Sequence, residues 1–233
     1  MAAPAQATTT FTDSTFNLAN YTGSSSVPSG GTAQIQQNPA LGNPGAALEF
    51  LFSMPATLPG AFYADAYVIN TTFAYNAATL GALGTIVGAM DVENTYTGLT
   101  ALGSTTGFTY ALQQGANIYI ASGGSYTVAA PGVFQTVTSP GLTAGNFALL
   151  TNLATGATDA AQHPDLAGGS FQLGVFASIS SSVANTAITR DYIVDNLNFT
   201  LTPAVPEPAS WGLLAAGLAL LGISTRRRLR VLE

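Results

Sequence analysis

The chain of 233 residues is marked first by what it has little of, beginning with cysteine and charge. It contains no cysteine, which excludes disulfides, thiolate nucleophiles and cysteine-ligated metals. Charged residues make up 7% of it, against roughly a quarter of a typical soluble chain. Uncharged hydroxyl and amide groups must therefore provide most of its solubility.

Basic residues are almost absent before the C-terminus. Residues 1–203 hold nine acids and one base, and residues 204–233 hold two acids and four bases, so a body of charge −8 and a tail of +2 give the net −6. An acidic body repels nucleic-acid phosphates, and the tail is too short for a nucleic-acid-binding arm. The sequence predicts no nucleic-acid partner.

Long apolar runs are also absent until residues 211–225, which are uncharged and mostly apolar. A helix needs roughly 17–25 such residues to cross a bilayer, so we expect a short transmembrane helix here. Trp211 stands where an interfacial aromatic belongs, and an arginine cluster follows the run: Arg226, Arg227, Arg228 and Arg230. The positive-inside rule places that cluster in the cytoplasm and the body outside. The alternative, a buried C-terminal helix of a soluble domain, gives the arginines no role.

A Pro-Glu-Pro triplet, formed by Pro206, Glu207 and Pro208, precedes the apolar run. Triplet, apolar segment and arginines, in this order over residues 205–230, resemble the PEP-CTERM sorting signal of Gram-negative bacteria that make extracellular polysaccharide. In that family a membrane-embedded exosortase recognises the tail and processes it near the triplet. The resemblance implies an exosortase partner, transient residence in the inner membrane, and delivery to the cell surface or the extracellular matrix. It implies no activity for the body.

Export also requires an N-terminal signal. Residues 1–7 lack the basic and apolar regions of a signal peptide, yet Ala5-Gln6-Ala7 is a small-x-small cleavage pattern. We therefore interpret residues 1–7 as the remnant of a signal peptide and expect the mature chain to begin near Thr8.

Between these ends, the apolar residues alternate with a period of two, which predicts strands. The alternation is clear in residues 48–54, and residues 108–120 predict a hairpin with its turn at Gln114-Gly115-Ala116-Asn117. Further strands are predicted at residues 63–70, 85–93, 134–137, 171–179 and 192–201, with short helical turns within 142–150. Many short strands and little helical signal predict an all-β fold, a single antiparallel β-sandwich over residues 8–203.

Several short segments of this body resemble a jelly-roll ectodomain common among proteins with this tail. They are the "NPG" of residues 43–45, the hairpin of residues 110–123, "PGLTAGNFALL", "GGSFQLGVF" and the final strand leading into the tail. The resemblance implies a jelly-roll or concanavalin A-like sandwich similar to carbohydrate-binding modules, and it leaves the ligand open.

A catalytic site is not predicted. Asp91 and Glu93 share one face of a strand at about 6–7 Å, and the stretch resembles the catalytic strand of laminarinase-type sandwich hydrolases. Ala89 stands at the position of the nucleophilic Glu in that motif, so the covalent step has no carboxylate. The sole histidine, His163, lies in a predicted loop, and no G-x-S-x-G motif accompanies it.

One metal site is predicted from the final strand. Asp195 falls in the same alternating phase as Ile193 and Leu197, so it should face inward and needs a partner. Resemblance to jelly-roll carbohydrate modules implies a structural Ca²⁺ that ties the first strand to the last, with Asp13, Asp191 and Asp195 as ligands. The alternative is that Asp195 accepts backbone N–H bonds at a bulge or strand end. No other cofactor is predicted.

Tyrosines are the candidate ligand contacts, because sugar rings stack on aromatic faces. Tyr63 and Tyr67 share a strand face, and Tyr119 and Tyr126 flank a Gly-rich turn. The alternative is that they are ordinary strand residues. Three functions therefore stand: a structural or adhesive surface protein, which we prefer, a module that binds exopolysaccharide, and, least favoured, a glycoside hydrolase.

Overall fold

The computed structural model describes residues 7–56, 62–97, 104–122, 132–181 and 187–204. The predicted transmembrane helix, the arginine cluster, the Pro-Glu-Pro triplet and Tyr126 lie outside these residues. Among the residues described, no helix has the length and apolar character needed to span a bilayer.

Strands dominate the described chain, and every strand pair is antiparallel. The strands are β1 (Thr9–Asp13), β2 (Tyr21–Ser26), β3 (Thr32–Gly42), β4 (Gly45–Met54), β5 (Phe62–Asn76), β6 (Leu83–Thr97), β7 (Ser104–Gln114), β8 (Asn117–Ala121), β9 (Gln135–Thr138), β10 (Phe147–Asn152), β11 (Ala157–Asp159), β12 (Ser170–Ser181) and β13 (Ile188–Pro203). Helical structure in the same residues is limited to α1 (Ala77–Leu80) and two 3-10 turns, Leu18–Asn20 and Ala144–Asn146.

The strands form two sheets that pack face to face. The six-stranded sheet has the order β3-β4-β13-β6-β9, with β1 also paired to β13, and the seven-stranded sheet has the order β11-β10-β8-β7-β12-β5-β2. Neighbours such as β13 and β6 are far apart in sequence, so long crossovers between the sheets build the fold. The predicted all-β antiparallel sandwich is confirmed.

All eight predicted strands are present, as β4 to β9, β12 and β13. The sequence missed β1, β2, β3, β10 and β11, which are mostly rich in Ser, Thr, Gln and Asn and carry a weak apolar alternation. The prediction of helical turns across residues 142–150 is wrong beyond Ala144–Asn146, because residues 147–152 form β10 and pair with β8. Pairing with a neighbouring strand satisfies the backbone there better than an isolated turn does.

Aromatic side chains fill the space between the sheets. On β7, Phe108 packs edge-on against Tyr192 at 5.0 Å, and Tyr110 packs edge-on against Phe199 at 5.3 Å. Both partners lie on β13 of the opposite sheet, so these two pairs join the centres of the sheets. Inter-sheet rings of this kind bury large apolar areas and hold the two layers in one register.

A bulge divides β13 into two halves. The first half pairs with β4 over residues 188–194, and the second pairs with β1 over residues 197–201. Between them the register with β6 shifts from Asp195 to Asn198, and Asn196 has a φ of 50°. The extra residues switch which side chains face the core, from Tyr192 and Val194 before the bulge to Leu197 and Phe199 after it.

Candidate functional site

The bulge on β13 corrects the predicted orientation of Asp195. Asp195 shares its side of the strand with Ile193, which faces away from the sandwich core, and the bulge places Leu197 on the core side. The side chain is nevertheless fully buried. Its Oδ2 accepts from the Asn43 N–H, and its Oδ1 accepts from the Asn196 N–H at 2.7 Å. Asp195 therefore ties the turn between β3 and β4 to the bulge, as the alternative interpretation held.

Asn196 extends this network across the sheet. Its side-chain amide donates to the Asn43 carbonyl at 3.1 Å and to Asp91 Oδ2 at 2.8 Å. Asp91 accepts a second hydrogen bond, from the Thr136 hydroxyl of β9, at its Oδ1. The carboxylate of Asp91 is thus used to join β6, β9 and β13, and Ala89 supplies no third carboxylate beside it.

Asp13, the third predicted calcium ligand, is also engaged by protein groups. Its Oδ1 accepts from the N–H groups of Thr15 and Phe16, both at 2.8 Å, and its Oδ2 accepts from the Tyr21 hydroxyl at 2.9 Å. Burial acts to raise the pKa of Asp13, but these hydrogen bonds outweigh it and hold the pKa below its ordinary value. The carboxylate caps the chain reversal that follows β1.

The predicted calcium ligands do not form a cluster. Asp13 lies opposite Leu197, while Asp191 lies opposite Thr95, on the other side of the bulge. Among the described residues, no group of three or more His, Asp or Glu side chains is arranged to hold a metal. Calcium held jointly by these three residues is thus an untested prediction that their positions do not favour.

A carboxyl pair occupies the outer face of the six-stranded sheet. Glu49 is 5% exposed and accepts from Gln36 at 2.7 Å and Asn38 at 3.0 Å. Asp191 lies diagonally across from it, and burial, followed by the charges of Glu49 and Glu93, raises the pKa of Asp191 to about 7. Asp191 therefore takes up a proton near neutral pH, far above the range of an ordinary aspartate.

The predicted tyrosine contacts separate into two groups. Tyr63 is 50% exposed and Tyr67 is half-buried, and both lie on the outer side of β5. Tyr119 is 6% exposed and packs in the core between the sheets. The prediction that Tyr119 contacts sugar is therefore wrong, because the strand phase of β8 turns its ring inward.

The outer side of the seven-stranded sheet brings other groups beside Tyr63 and Tyr67. In register across β5 and β12, Tyr67 faces Phe176, Asp65 faces Ser178 and Tyr63 faces Ser180. We call these six residues the tyrosine face. The side chains are two tyrosines and an aspartate on β5 and a phenylalanine and two serines on β12. Strands β7 and β8 continue the face with Thr109 and Ile120.

A pocket of about 260 Å³ opens on the tyrosine face. Its walls include Gly107, Thr109, Ile120, Phe176, Ser178 and Ser180. Gly107 lies opposite Ser178 and lines the pocket with its backbone. The lining thus combines the apolar side chains of Ile120 and Phe176 with the hydroxyl groups of Ser178 and Ser180.

Asp65 is the titratable carboxyl group of this face, and the sequence analysis did not single it out. It is fully buried, and neither carboxylate oxygen has a hydrogen-bond donor in good geometry. Burial raises its pKa to about 6, and Ser178 across the strand pair partly offsets this. The turn between β10 and β11 covers it, since a Cβ on Gly156 would stand 3.1 Å from Asp65 Oδ2. The sequence signal that could have identified Asp65 is its position between Tyr63 and Tyr67, on the same side of one predicted strand.

His163 is exposed, and its Nδ1 lies 2.7 Å from the Phe147 carbonyl oxygen. Within the described part of the chain, no nucleophile or orienting carboxylate is hydrogen-bonded to its ring. The arrangement is that of a loop histidine bound to the edge of β10.

Comparison with protein families identifies the tail. Residues 204–228 match the PEP-CTERM protein-sorting motif, as the sequence predicted. No curated protein matches the chain by sequence.

The solved structures to which the chain is similar include two carbohydrate-binding modules and a xyloglucanase. A family 11 carbohydrate-binding module from Clostridium thermocellum, in complex with a β-1,3-1,4-mixed-linked tetrasaccharide, has a TM-score of 0.44 at 12% identity over 85% of this chain and 98% of that one. A family 22 xylan-binding domain has a TM-score of 0.40 at 11% identity over 84% and 96%. A family 12 xyloglucanase from Bacillus licheniformis has a TM-score of 0.32 at 9% identity over 83% and 100%.

Proposed function

We propose that this protein is exported and is sorted to the cell surface or the extracellular matrix through its C-terminal tail, with the β-sandwich as structural or adhesive cargo. The observation that carries the proposal is the position of the sorting motif. The motif begins at Ala204, and β13 ends at Pro203. The signal therefore follows directly on the last strand of the sandwich.

The tail has the physical features that such sorting needs. Residues 211–225 are apolar enough to enter a bilayer, and the four arginines that follow oppose translocation of the C-terminus. An exosortase in the inner membrane would then meet Pro206, Glu207 and Pro208 at the outer surface. Removal of the tail there releases or transfers the sandwich.

Replacement of the arginines tests this route. With Arg226, Arg227, Arg228 and Arg230 changed to Gln, we expect the protein to be lost from the surface and matrix fractions of the producing cells. With the same four changed to Lys, which keeps the charge, sorting should persist. If the Gln and Lys variants were sorted equally, the positive charge of the tail would not be needed for sorting, which would contradict the proposal.

The second candidate is a body that binds exopolysaccharide, and the tyrosine face favours it. Exposed Tyr63, half-buried Tyr67 and the neighbouring pocket offer stacking surfaces and hydroxyl groups on one side of the sheet. Binding to a panel of polysaccharides separates the two candidates, since a purely structural body binds none of them. A hydrolase is not favoured, because Asp91 is held by Thr136 and Asn196 and no nucleophile stands at Ala89.

A further inference from the structure

The tyrosine face combines aromatic rings with hydroxyl groups at the spacing of neighbouring strands. Exposed Tyr63 and half-buried Tyr67 lie on one side of β5, and half-buried Ser180 and Ser178 follow on β12, where Ser180 lies opposite Tyr63. Phe176, opposite Tyr67, is buried and only lines the pocket. Strands lie roughly 4.7–4.9 Å apart and same-face residues about 6–7 Å apart. One sugar ring can therefore contact an aromatic ring and a hydroxyl group at once.

The pocket beside Phe176 limits what can enter. Its volume of about 260 Å³ is below the roughly 300–1,000 Å³ of pockets that enclose drug-sized ligands. It can take one ring-sized group while the rest of a chain lies across the surface. Gly107 keeps it open, because a side chain at that position would point into it.

Charge on the tyrosine face opposes anionic ligands. Asp65 is buried at its centre, flanked by Ser26 on β2 and Ser178 on β12. In the described parts of the sandwich, the only basic side chain besides His163 is Arg190, and Arg190 is buried on the core side of β13. A carboxylate or sulfate on a sugar would find no cation there and would add to the repulsion from an acidic body.

We propose that the tyrosine face and its pocket bind an uncharged polysaccharide and reject polysaccharides that carry uronic acids or sulfate. The apolar side of a sugar ring packs on exposed Tyr63 and half-buried Tyr67, and its hydroxyl groups exchange hydrogen bonds with Ser178 and Ser180. This rests on the second candidate function above and not on the sorting of the tail, which is tested separately by the location of the protein in the cell.

The test is affinity electrophoresis of the full chain in a mild nonionic detergent, with soluble mixed-linkage β-glucan or xylan as neutral probes and alginate as the acidic probe. We expect retardation by at least one neutral probe, no retardation by alginate, and little change between low and moderate salt. Tyr67→Ala and Gly107→Val should each weaken binding by 10-fold or more. Ser53→Val, a similar change on an exposed outer position of β4, should leave binding within 2-fold.

A thermal melt of each variant checks that it folds. If one of the variants does not fold, Ser178→Ala takes its place, and we expect it to weaken binding to the neutral probe by 3-fold or more. No retardation by either neutral probe overturns the proposal, as does equal retardation by alginate. Neutral binding that survives both Tyr67→Ala and Gly107→Val places the ligand elsewhere and also overturns it. Self-association of the wild type that Gly107→Val abolishes would assign the face to a second copy of the chain instead.

Discussion

Buried carboxylates can stabilise or destabilise this protein, depending on whether hydrogen-bond donors face them. Asp195 is fully buried and accepts two backbone N–H groups, so it acts as a structural tie. Asp65 is equally buried but has no such donors. The first stabilises the fold, and the second costs stability whenever it is charged.

Replacement of Asp195 should therefore destabilise the folded protein strongly. Asp195→Ala leaves the N–H groups of Asn43 and Asn196 without their acceptor at a partly buried site and empties the fully buried position of the carboxylate, and we expect the free energy of unfolding to fall by about 2–4 kcal/mol. Asp165→Ala is the matched control, because exposed Asp165 also accepts two backbone N–H groups, from Ala167 and Gly168. Urea unfolding of both variants makes the comparison, and equal losses would contradict the tie.

Asp65 should make stability depend on pH. Because its pKa is raised from 3.8 to about 6 in the folded state, the folded state binds the proton more tightly than the unfolded state does. The stability that the folded state gains from this tighter proton binding is fully present below pH 4. It is lost as the pH rises through 6, because Asp65 then becomes charged in the folded state as well. Asp65→Asn should then be more stable than the wild type at pH 8, by about 1–3 kcal/mol, with the difference shrinking toward pH 4.

Thermal melts across pH 4–8 measure the Asp65 effect. Asp159→Asn serves as the control, since Asp159 is solvent-exposed and hydrogen bonds from Ala161 and Gln162 lower its pKa. Asp159→Asn should show no gain at pH 8. A difference for Asp65→Asn that stays constant from pH 4 to pH 8 would contradict a titrating buried carboxylate.

At the scale of elements, the sequence predicted strands well where one face is buried. The alternation of Leu48, Phe50, Phe52 and Met54 specifies β4 because all four side chains enter the core. Strands β2 and β11 contribute almost nothing to the core, so their sequences carry no period. The bulge at Asn196 was not predictable from alternation, since the pattern of Ile193, Asp195 and Leu197 reads as unbroken.

The candidate site shows the same limit. Tyr63 and Tyr67 were found from one strand, but Phe176, Gly107 and Ser178 come from other strands and meet them only through the order β7-β12-β5. Tyr119 was misassigned because the alternation of Ile118, Tyr119 and Ile120 does not reveal which phase faces the core. Both outer isoleucines lie in a second apolar cluster under the turn between β10 and β11.

Two turns that contain a glycine with positive φ give a matched test of whether the turn between β10 and β11 packs on Asp65. Gly156 has a φ of 60° and approaches Asp65, while Gly115 has a φ of 61° and open space around it. Gly115→Ala should cost about 1 kcal/mol, from backbone strain alone. Gly156→Ala adds the contact with Asp65 and should cost about 1 kcal/mol more. Equal losses of stability in chemical unfolding would show that the turn does not press on Asp65.

The pairing of β1 with β13 bears on the predicted calcium site, and a thermal melt tests it. Five register pairs, from Thr9 opposite Leu201 to Asp13 opposite Leu197, already connect these strands, and the carboxylates of Asp13 and Asp195 are held by protein donors. We expect the thermal midpoint to be the same with millimolar Ca²⁺ and with EDTA. A rise with Ca²⁺ that Asp195→Asn removes would establish the ion.

At the scale of the whole molecule, charge separates the two parts of the chain. The acidic, hydroxyl-rich sandwich ends at Pro203, and a motif with an apolar run and four arginines takes over at Ala204. A surface of uncharged polar groups suits life outside the cell among hydrated polysaccharides. A basic cluster confined to the tail fits the sorting route that we propose for it.

The most direct test of this account is the intact mass of the protein recovered from the surface or matrix of producing cells. We predict a chain that ends near Pro206, Glu207 or Pro208 and lacks the arginine cluster, with the uncut chain retained in membranes when the exosortase gene is deleted. Recovery of the full chain to Glu233, dissolved in the cytoplasm of cells with the exosortase intact, would contradict the account.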